Sequence, residues 1–266
     1  MKKNISVILI IIVFFTFTFL FENQTIVAEE NVEEDTKKLV LNSAKLALGL
    51  YLAAKLGDIF TSRKSNNIEE EKLPNDSSSY NNQELANKVF VIDPGHGGHD
   101  PGAVGPGGIE EKDINLETAL ELYEILKLHT TAEIYLTRSS DKFLSLSERI
   151  RFTREKNADI FISIHYNADT SGRKRGIETY AYYSASRETW ALAWSIHEAV
   201  VRNLNLIDRG LMVDNFQVIR ELTDCKAILL ELGYISNPAE EKILKKPETI
   251  KTTARSIYEG LKNYYN

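Results

Sequence analysis

The chain has 266 residues, 43% apolar and 26% charged, with a formal net charge of −6 and a single cysteine. That apolar content is enough to bury a sizeable core in one or two domains, which excludes a disordered chain. No basic patch stands out against the acidic balance, which argues against a nucleic-acid partner, and Cys225 alone cannot close an internal disulfide.

The N-terminus opens on Lys2 and Lys3, followed by an unbroken run of apolar, Thr and Ser residues from Ile5 to Phe21. Residues 1–30 therefore read as a signal peptide or a membrane anchor. The run is at the lower limit for a span, since about 20 residues cross a hydrocarbon core of about 30 Å. Ala28 in "TIVAEE" offers a cleavage site, and either reading exports the protein. Within residues 31–60, Leu39 to Phe60 is rich in helix formers and carries a broad apolar stripe broken by Lys45, Lys55 and Asp58. It predicts an amphipathic helix that must rest on the membrane face, on its own domain or on a partner. Residues 61–87 are polar and nearly devoid of apolar side chains, the composition of a flexible linker. The compact domain is expected over residues 88–266.

There the pattern alternates. Val89 to Asp93 predicts a strand, Ile114 to His129 an amphipathic helix, Glu133 to Thr137 a strand, Ser145 to Asn157 a helix and Asp159 to Ile164 a buried strand. Ile177 to Tyr182 predicts an edge-like strand, Ser186 to Leu204 a long helix, Ala227 to Leu232 a strand and Pro247 to Tyr265 a closing helix. Strands separated by helices predict an α/β fold: a twisted, mainly parallel sheet flanked by helices on both faces.

In such sheets, sites form in the crevice outside the carboxyl ends of the strands. His96 falls there after the first strand, in a turn where Gly97 and Gly98 carry no side chain; His165 follows the apolar "DIFISI", and Glu231 lies in "AILLELGY". Two imidazoles, with Glu111 from "GIEEKD" and a spare carboxylate, are the groups a zinc-dependent hydrolase needs. One histidine alone at a strand end is more often a structural residue; two on separate strands of one sheet bring metal ligation level with that reading. The intervals between His96, Glu111 and His165 are too long and irregular to form a compact metal motif.

The runs "VIDPGHGGHDPGA", "GGIEEKDINL", "TRSSDKFLSLSERI", "DIFISIHYNA" and "ILLELGYISNP", in this order, resemble the zinc-dependent N-acetylmuramoyl-L-alanine amidases, the amidase-3 type of peptidoglycan hydrolase. The resemblance covers essentially all of residues 88–266 and implies the zinc amidase fold. It also implies one Zn2+ per catalytic domain, bound by His96, Glu111 and His165, with Glu231 as the catalytic carboxylate; Glu110 is the alternative ligand in the same segment. Asp93 is placed to orient a ligand imidazole and Asn167 to bond substrate, each equally open to a structural role. Arg138 reads as a buried structural cation before a substrate clamp. His99 reads as a loop residue facing solvent, His129 as a C-terminal cap of its helix and His197 as a helix-surface residue. The family often has a proline shortly before its last catalytic strand, where this chain has "DCKA"; Cys225 there lacks a base partner for nucleophilic catalysis.

The activity implied is cleavage of the amide between the lactyl group of N-acetylmuramic acid and L-alanine of the stem peptide, during cell-wall turnover, cell separation or sporulation. The partners implied are peptidoglycan, the membrane through the N-terminal segment, and a protein activator or inhibitor. The location is extracytoplasmic, membrane-anchored or secreted to the wall. The alternatives are a zinc peptidase acting on another peptide and an inactive wall-binding protein.

Overall fold

The computed structural model describes residues 85–266. The N-terminal run, the helix expected at Leu39 to Phe60 and residues 61–84 of the linker lie outside the described residues. Twelve elements follow in order: β1 (Val89–Pro94), α1 (Glu111–His129), β2 (Glu133–Leu136), α2 (Leu146–Glu155), β3 (Ile160–Asn167), β4 (Ile177–Ala181), α3 (Arg187–Leu204), β5 (Asp208–Val213), α4 (Gln217–Arg220), β6 (Lys226–Tyr234), α5 (Pro238–Leu244) and α6 (Pro247–Tyr265).

The strands form one sheet in the order β2-β1-β3-β6-β4-β5. Every pairing is parallel except β4 with β6, so the expected mainly parallel α/β sheet is the observed one. The exception follows from chain length. A parallel return needs a crossover of a dozen or more residues, and only residues 168–176 separate β3 from β4. The chain therefore re-enters the sheet at the end it has just left.

Alternate residues of the central strands feed two cores, as a side-chain period of two requires. Phe90, Ile92, Ile160, Ile162, Ile164, Ile228 and Leu230 pack with Leu122, Leu126, Leu192, Ile196, Ile257 and Leu261 of α1, α3 and α6. Val91, Phe161, Ala227 and Leu229 pack with Ile150 of α2 and Val218 and Ile219 of α4. Each such fully buried side chain contributes about 1.5–3 kcal/mol. Among the described residues, three long helices cover the first face, and the second carries a three-turn helix and one turn.

The helix boundaries have local causes. The α2 start is a reciprocal capping box between Ser145 and Glu148, and Ser186 caps α3, which ends where Asn205 turns left-handed at φ 52°. Pro247 opens α6.

The structure corrects the sequence reading at several places. Ile177–Ala181 is an interior strand, because β5 pairs outside it. Sequence reading missed β5 because "DRGLMV" holds two charges and a glycine and leaves every residue at least partly exposed. It also missed the short α4 and α5. The helix expected from Ile114 starts at Glu111. Leu85, expected in the linker, is 2% exposed and belongs to the main core. His197 is buried between Thr179 and Asp208 instead of lying on a helix surface.

Candidate metal centre

β1 and β3 are neighbours, and the chain leaves β1 to one side for β2 and returns on the other as β3. Ligands bind at such a reversal, outside the carboxyl ends of the strands. His96 stands two residues beyond the last residue of β1, and His165 lies near the end of β3, directly paired in register with Glu231 of β6. Glu111, the first residue of α1, reaches across to both imidazoles.

Oε2 of Glu111 is 3.2 Å from Nε2 of His96, and Oε1 is 2.8 Å from Nδ1 of His165. The two rings meet edge to face, with centroids 5.0 Å apart. The backbone amides of Ala103 and Tyr166 also donate to the Glu111 carboxylate. Nδ1 of His96 donates to Oδ2 of Asp100 at 2.8 Å, which leaves Nε2 for the cluster. Sequence reading missed Asp100; its signal was the i, i+4 spacing from His96 within one loop.

His96 has φ 59°, a conformation few non-glycine residues adopt, and it is held there by surrounding bonds. Two glycines make room for the cluster. A Cβ on Gly95 would lie 2.1 Å from the His165 ring, and one on Gly102, at φ 66°, 2.6 Å from Oε2 of Glu111.

Burial raises the Glu111 carboxyl, but hydrogen bonds and charge from His165 and His96 outweigh it and hold the group well below the usual range. Burial lowers His96, and Glu111 with Asp100 more than reverses it, so the imidazole holds its proton more tightly than usual. Two imidazoles sharing one ionised carboxylate are held together by protons, and a cation bound among them takes the place of those protons.

The donor set fits zinc. One atom from each of His96, Glu111 and His165 lies within 4.8 Å of the others. Tetrahedral zinc, with bonds of about 2.0–2.2 Å, puts its ligand atoms about 3.4 Å apart, a spacing these side chains reach with small adjustments.

Glu231 stands beside this cluster, 9% exposed, and its Oε2 is buried without a hydrogen-bond partner. Burial, then the charges of Glu111 and Glu178, raises its carboxyl well above the usual range. Glu178 faces it across the β4–β6 ladder and is itself saturated by Asn167, Tyr180, Tyr234 and Arg209. A buried carboxyl with a free oxygen and a raised affinity for protons suits proton transfer.

The remaining expected residues sit behind the site. Asp93 makes no hydrogen bond to either imidazole; it accepts from Thr137, Ser163 and Arg149. Its role as the residue that orients an imidazole passes to Asp100, because Asp93 faces the α2 side, where Arg149 meets it. Arg138 is 3% exposed and donates to the carbonyls of Pro94, Gly95, Lys112 and Ser140, which ties the end of β1 to the first turn of α1 and spends four of its five N–H donors on the backbone. Asn167 donates to Glu178 and accepts from the Ala168 amide. Glu110 pairs with Lys112, and His99 is an exposed loop residue whose ring lies tilted against Phe143. Cys225 lines a cavity of about 580 Å³ at the opposite end of the strands, beside Asp159 and Lys226. Burial, with the Asp224 charge, pushes its thiol up to about 12, which removes it as a nucleophile at neutral pH.

Known proteins share this fold. The sequence profile described as N-acetylmuramoyl-L-alanine amidase matches residues 90–263. A Staphylococcus epidermidis protein named "Probable cell wall amidase LytH" is 38% identical over 196 residues, covering 73% of this chain and 64% of that protein. The chain thus spans just under two thirds of that relative's length. The catalytic domain of CwlV, an N-acetylmuramoyl-L-alanine amidase from Bacillus (Paenibacillus) polymyxa, superimposes with a TM-score of 0.63 at 40% identity, over 66% of this chain and 97% of that one. The CwlD amidase of Clostridioides difficile, solved in complex with the GerS lipoprotein, gives 0.62 at 28% identity, over 67% of this chain and 98% of that one.

Proposed function

The chain belongs to the N-acetylmuramoyl-L-alanine amidase family, and from that premise we propose that it hydrolyses the amide joining the lactyl group of N-acetylmuramic acid to L-alanine of the peptidoglycan stem peptide. The observation that carries the reading is Glu231: a buried carboxyl with an unpartnered oxygen, in register beside His165 and next to a two-histidine, one-carboxylate cluster.

An amide resists water at neutral pH because its nitrogen is a poor leaving group and its carbonyl a poor electrophile. His96, Glu111 and His165 would hold a zinc ion, which would supply two remedies, a pKa of water lowered from about 16 to about 7 and a polarised scissile carbonyl. Glu231 supplies the third. Its free Oε2 accepts the proton of the attacking water, and the same oxygen returns it to the departing nitrogen of L-alanine. A carboxylate at its ordinary pKa would be a weak acceptor for the proton of water; burial and the Glu111 and Glu178 charges raise its proton affinity. Asp100 fixes the His96 tautomer, and Gly95 and Gly102 keep the cluster's space clear.

Lys2 and Lys3 with the run from Ile5 to Phe21 support action outside the membrane, at the cell wall. The lipoprotein bound to the CwlD amidase supports control of this chain by a protein partner.

Incubation with purified peptidoglycan tests the activity. New N-terminal alanine amines are expected, lost on chelation and restored by zinc; release of other amines, or of none with zinc present, refutes it.

A further inference from the structure

The nine-residue connection from β3 to β4 carries "GRKR" at 172–175 and lies at the same end of the sheet as the metal cluster, because β4 runs antiparallel to β6. Arg173, Lys174 and Arg175 are all exposed in a chain whose net charge is −6. Neither Arg173 nor Arg175 forms a salt bridge among the described residues, and Lys174 has only a 3.8 Å contact to Asp169. Arg209, the other nearby cation, is already consumed by Glu178.

The backbone that presents these charges is built, not slack. Asn237 donates to the carbonyls of Gly172 and Arg173, the Gly176 amide donates to the buried carboxylate of Glu240, and Ser236 accepts from the Asp169 amide. Glu240, a buried acid within electrostatic reach of Arg175, already accepts from the Gly176 and Tyr234 amides and forms no salt bridge with the guanidinium. Two unpaired guanidiniums on a fixed loop present planar donor forks suited to carboxylates.

The reach matches the substrate. Arg175 is three residues from Glu178, at most about 10 Å of extended chain, and Glu178 lies about 5 Å across the ladder from Glu231. The basic loop is thus within about 15 Å of the proposed proton carrier. That is the distance an extended peptide covers in about four residues beyond the scissile bond.

Resting on the amidase reading, we infer that Arg173 and Arg175 form the subsite for the acidic end of the stem peptide, binding the free carboxylates it carries beyond L-alanine. The carboxylates are those of the peptide itself rather than the phosphates of wall polymers, because the loop enters the very strand that faces Glu231.

The test titrates the full-length zinc-loaded protein calorimetrically with a synthetic acidic peptide beginning in L-alanine, its carboxylates free or amidated. The same titrations are made on R173A/R175A and R173K/R175K, and all three proteins digest muropeptides of both kinds. The parent is expected to prefer the free-carboxylate form about tenfold, in affinity and as a lower KM, with kcat unchanged. The double alanine variant loses that preference and the lysine variant keeps part of it. Equal affinity for the two peptides in the parent, or a preference that survives in R173A/R175A, overturns the inference. So does a defect confined to whole walls bearing phosphate polymers and absent on soluble muropeptides. A carboxylate preference that holds while no lactyl–alanine bond is cut supports the subsite and sinks the amidase reading instead.

Discussion

Glu231 is the residue on which most depends, and its two properties pull in opposite directions. Its free oxygen and raised carboxyl serve proton transfer, while a buried acid without a partner destabilises the fold. The unfolded chain releases that proton near the ordinary glutamate value of 4.5, whereas the folded protein retains it to higher pH. The contribution of Glu231 to the stability of the chelated protein therefore falls as pH rises above 4.5, as does that of Glu240, whose carboxyl is also raised by burial. His96, whose proton affinity is raised in the fold, adds a further fall above its ordinary value of 6.5. Glu231→Gln should remove its own share of the first fall and leave the share of Glu240 and the fall from His96. In thermal melts with chelator, the variant should exceed its parent by a margin that grows from pH 4.5 upward; coincident melting at every pH would contradict this. The same substitution should cut alanine release about 10²–10⁴-fold with zinc content intact. Asp100→Ala should weaken zinc binding about 10–100-fold, as loss of a carboxylate behind a ligand histidine does, and less than His96→Ala; competition with a chromogenic chelator reads both.

At the scale of elements, the loop after β1 is held by two arginines from elsewhere in the chain. Arg149 of α2 donates to Asp93, to the Pro94 carbonyl and to the His96 carbonyl, and Arg138 holds Pro94 and Gly95 from the segment after β2. Arg149 and Asp93 are 3% and 1% exposed. Removing one member of such a pair leaves an uncompensated buried charge, which costs about 3–5 kcal/mol. Arg149→Leu should therefore lose about that much in denaturant unfolding. Because Arg149 also anchors the carbonyl of His96, zinc affinity should fall with it. A variant as stable as its parent would show that the pair does not hold the loop.

At the scale of the molecule, the described helices cover the sheet unequally, and the site uses the inequality. Glu231 shares its side of the sheet with Ala227 and Leu229, the face that α2 and α4 cover among the described residues. Glu111 arrives over the strand ends from α1, which covers the other face. The cluster is thus assembled from both layers, and the integrity of the main core matters to it. Leu85 packs in that core. A fragment of residues 85–266 should melt cooperatively, and one beginning at Lys88 should lose the burial of Leu85, about 1.5–3 kcal/mol or about 3–12 °C in Tm. Equal melting temperatures for the two fragments would remove Leu85 from the core.

The parallel α/β architecture was legible in the sequence because buried strands such as Phe161–Ile164 and helices such as Arg187–Leu204 differ in apolar period, and period is a local property. The residues of the cluster were named from motifs carried on single segments. Neither route could reach the partners that the fold supplies. Asp93 stands next to the first motif, yet its charge is spent on Arg149, 56 positions away, while Asp100 takes the imidazole. His197 looked like a surface residue because the pattern of α3 says nothing of β5, the strand that buries it through Asp208. The placement of β4 inside the sheet, and with it Glu178 opposite Glu231, was likewise set by tertiary pairing. Composition and spacing fix which groups a chain owns and the elements that carry them. Which carboxylate keeps its proton depends on burial and on charges brought near from distant segments, and only the folded sheet decides those.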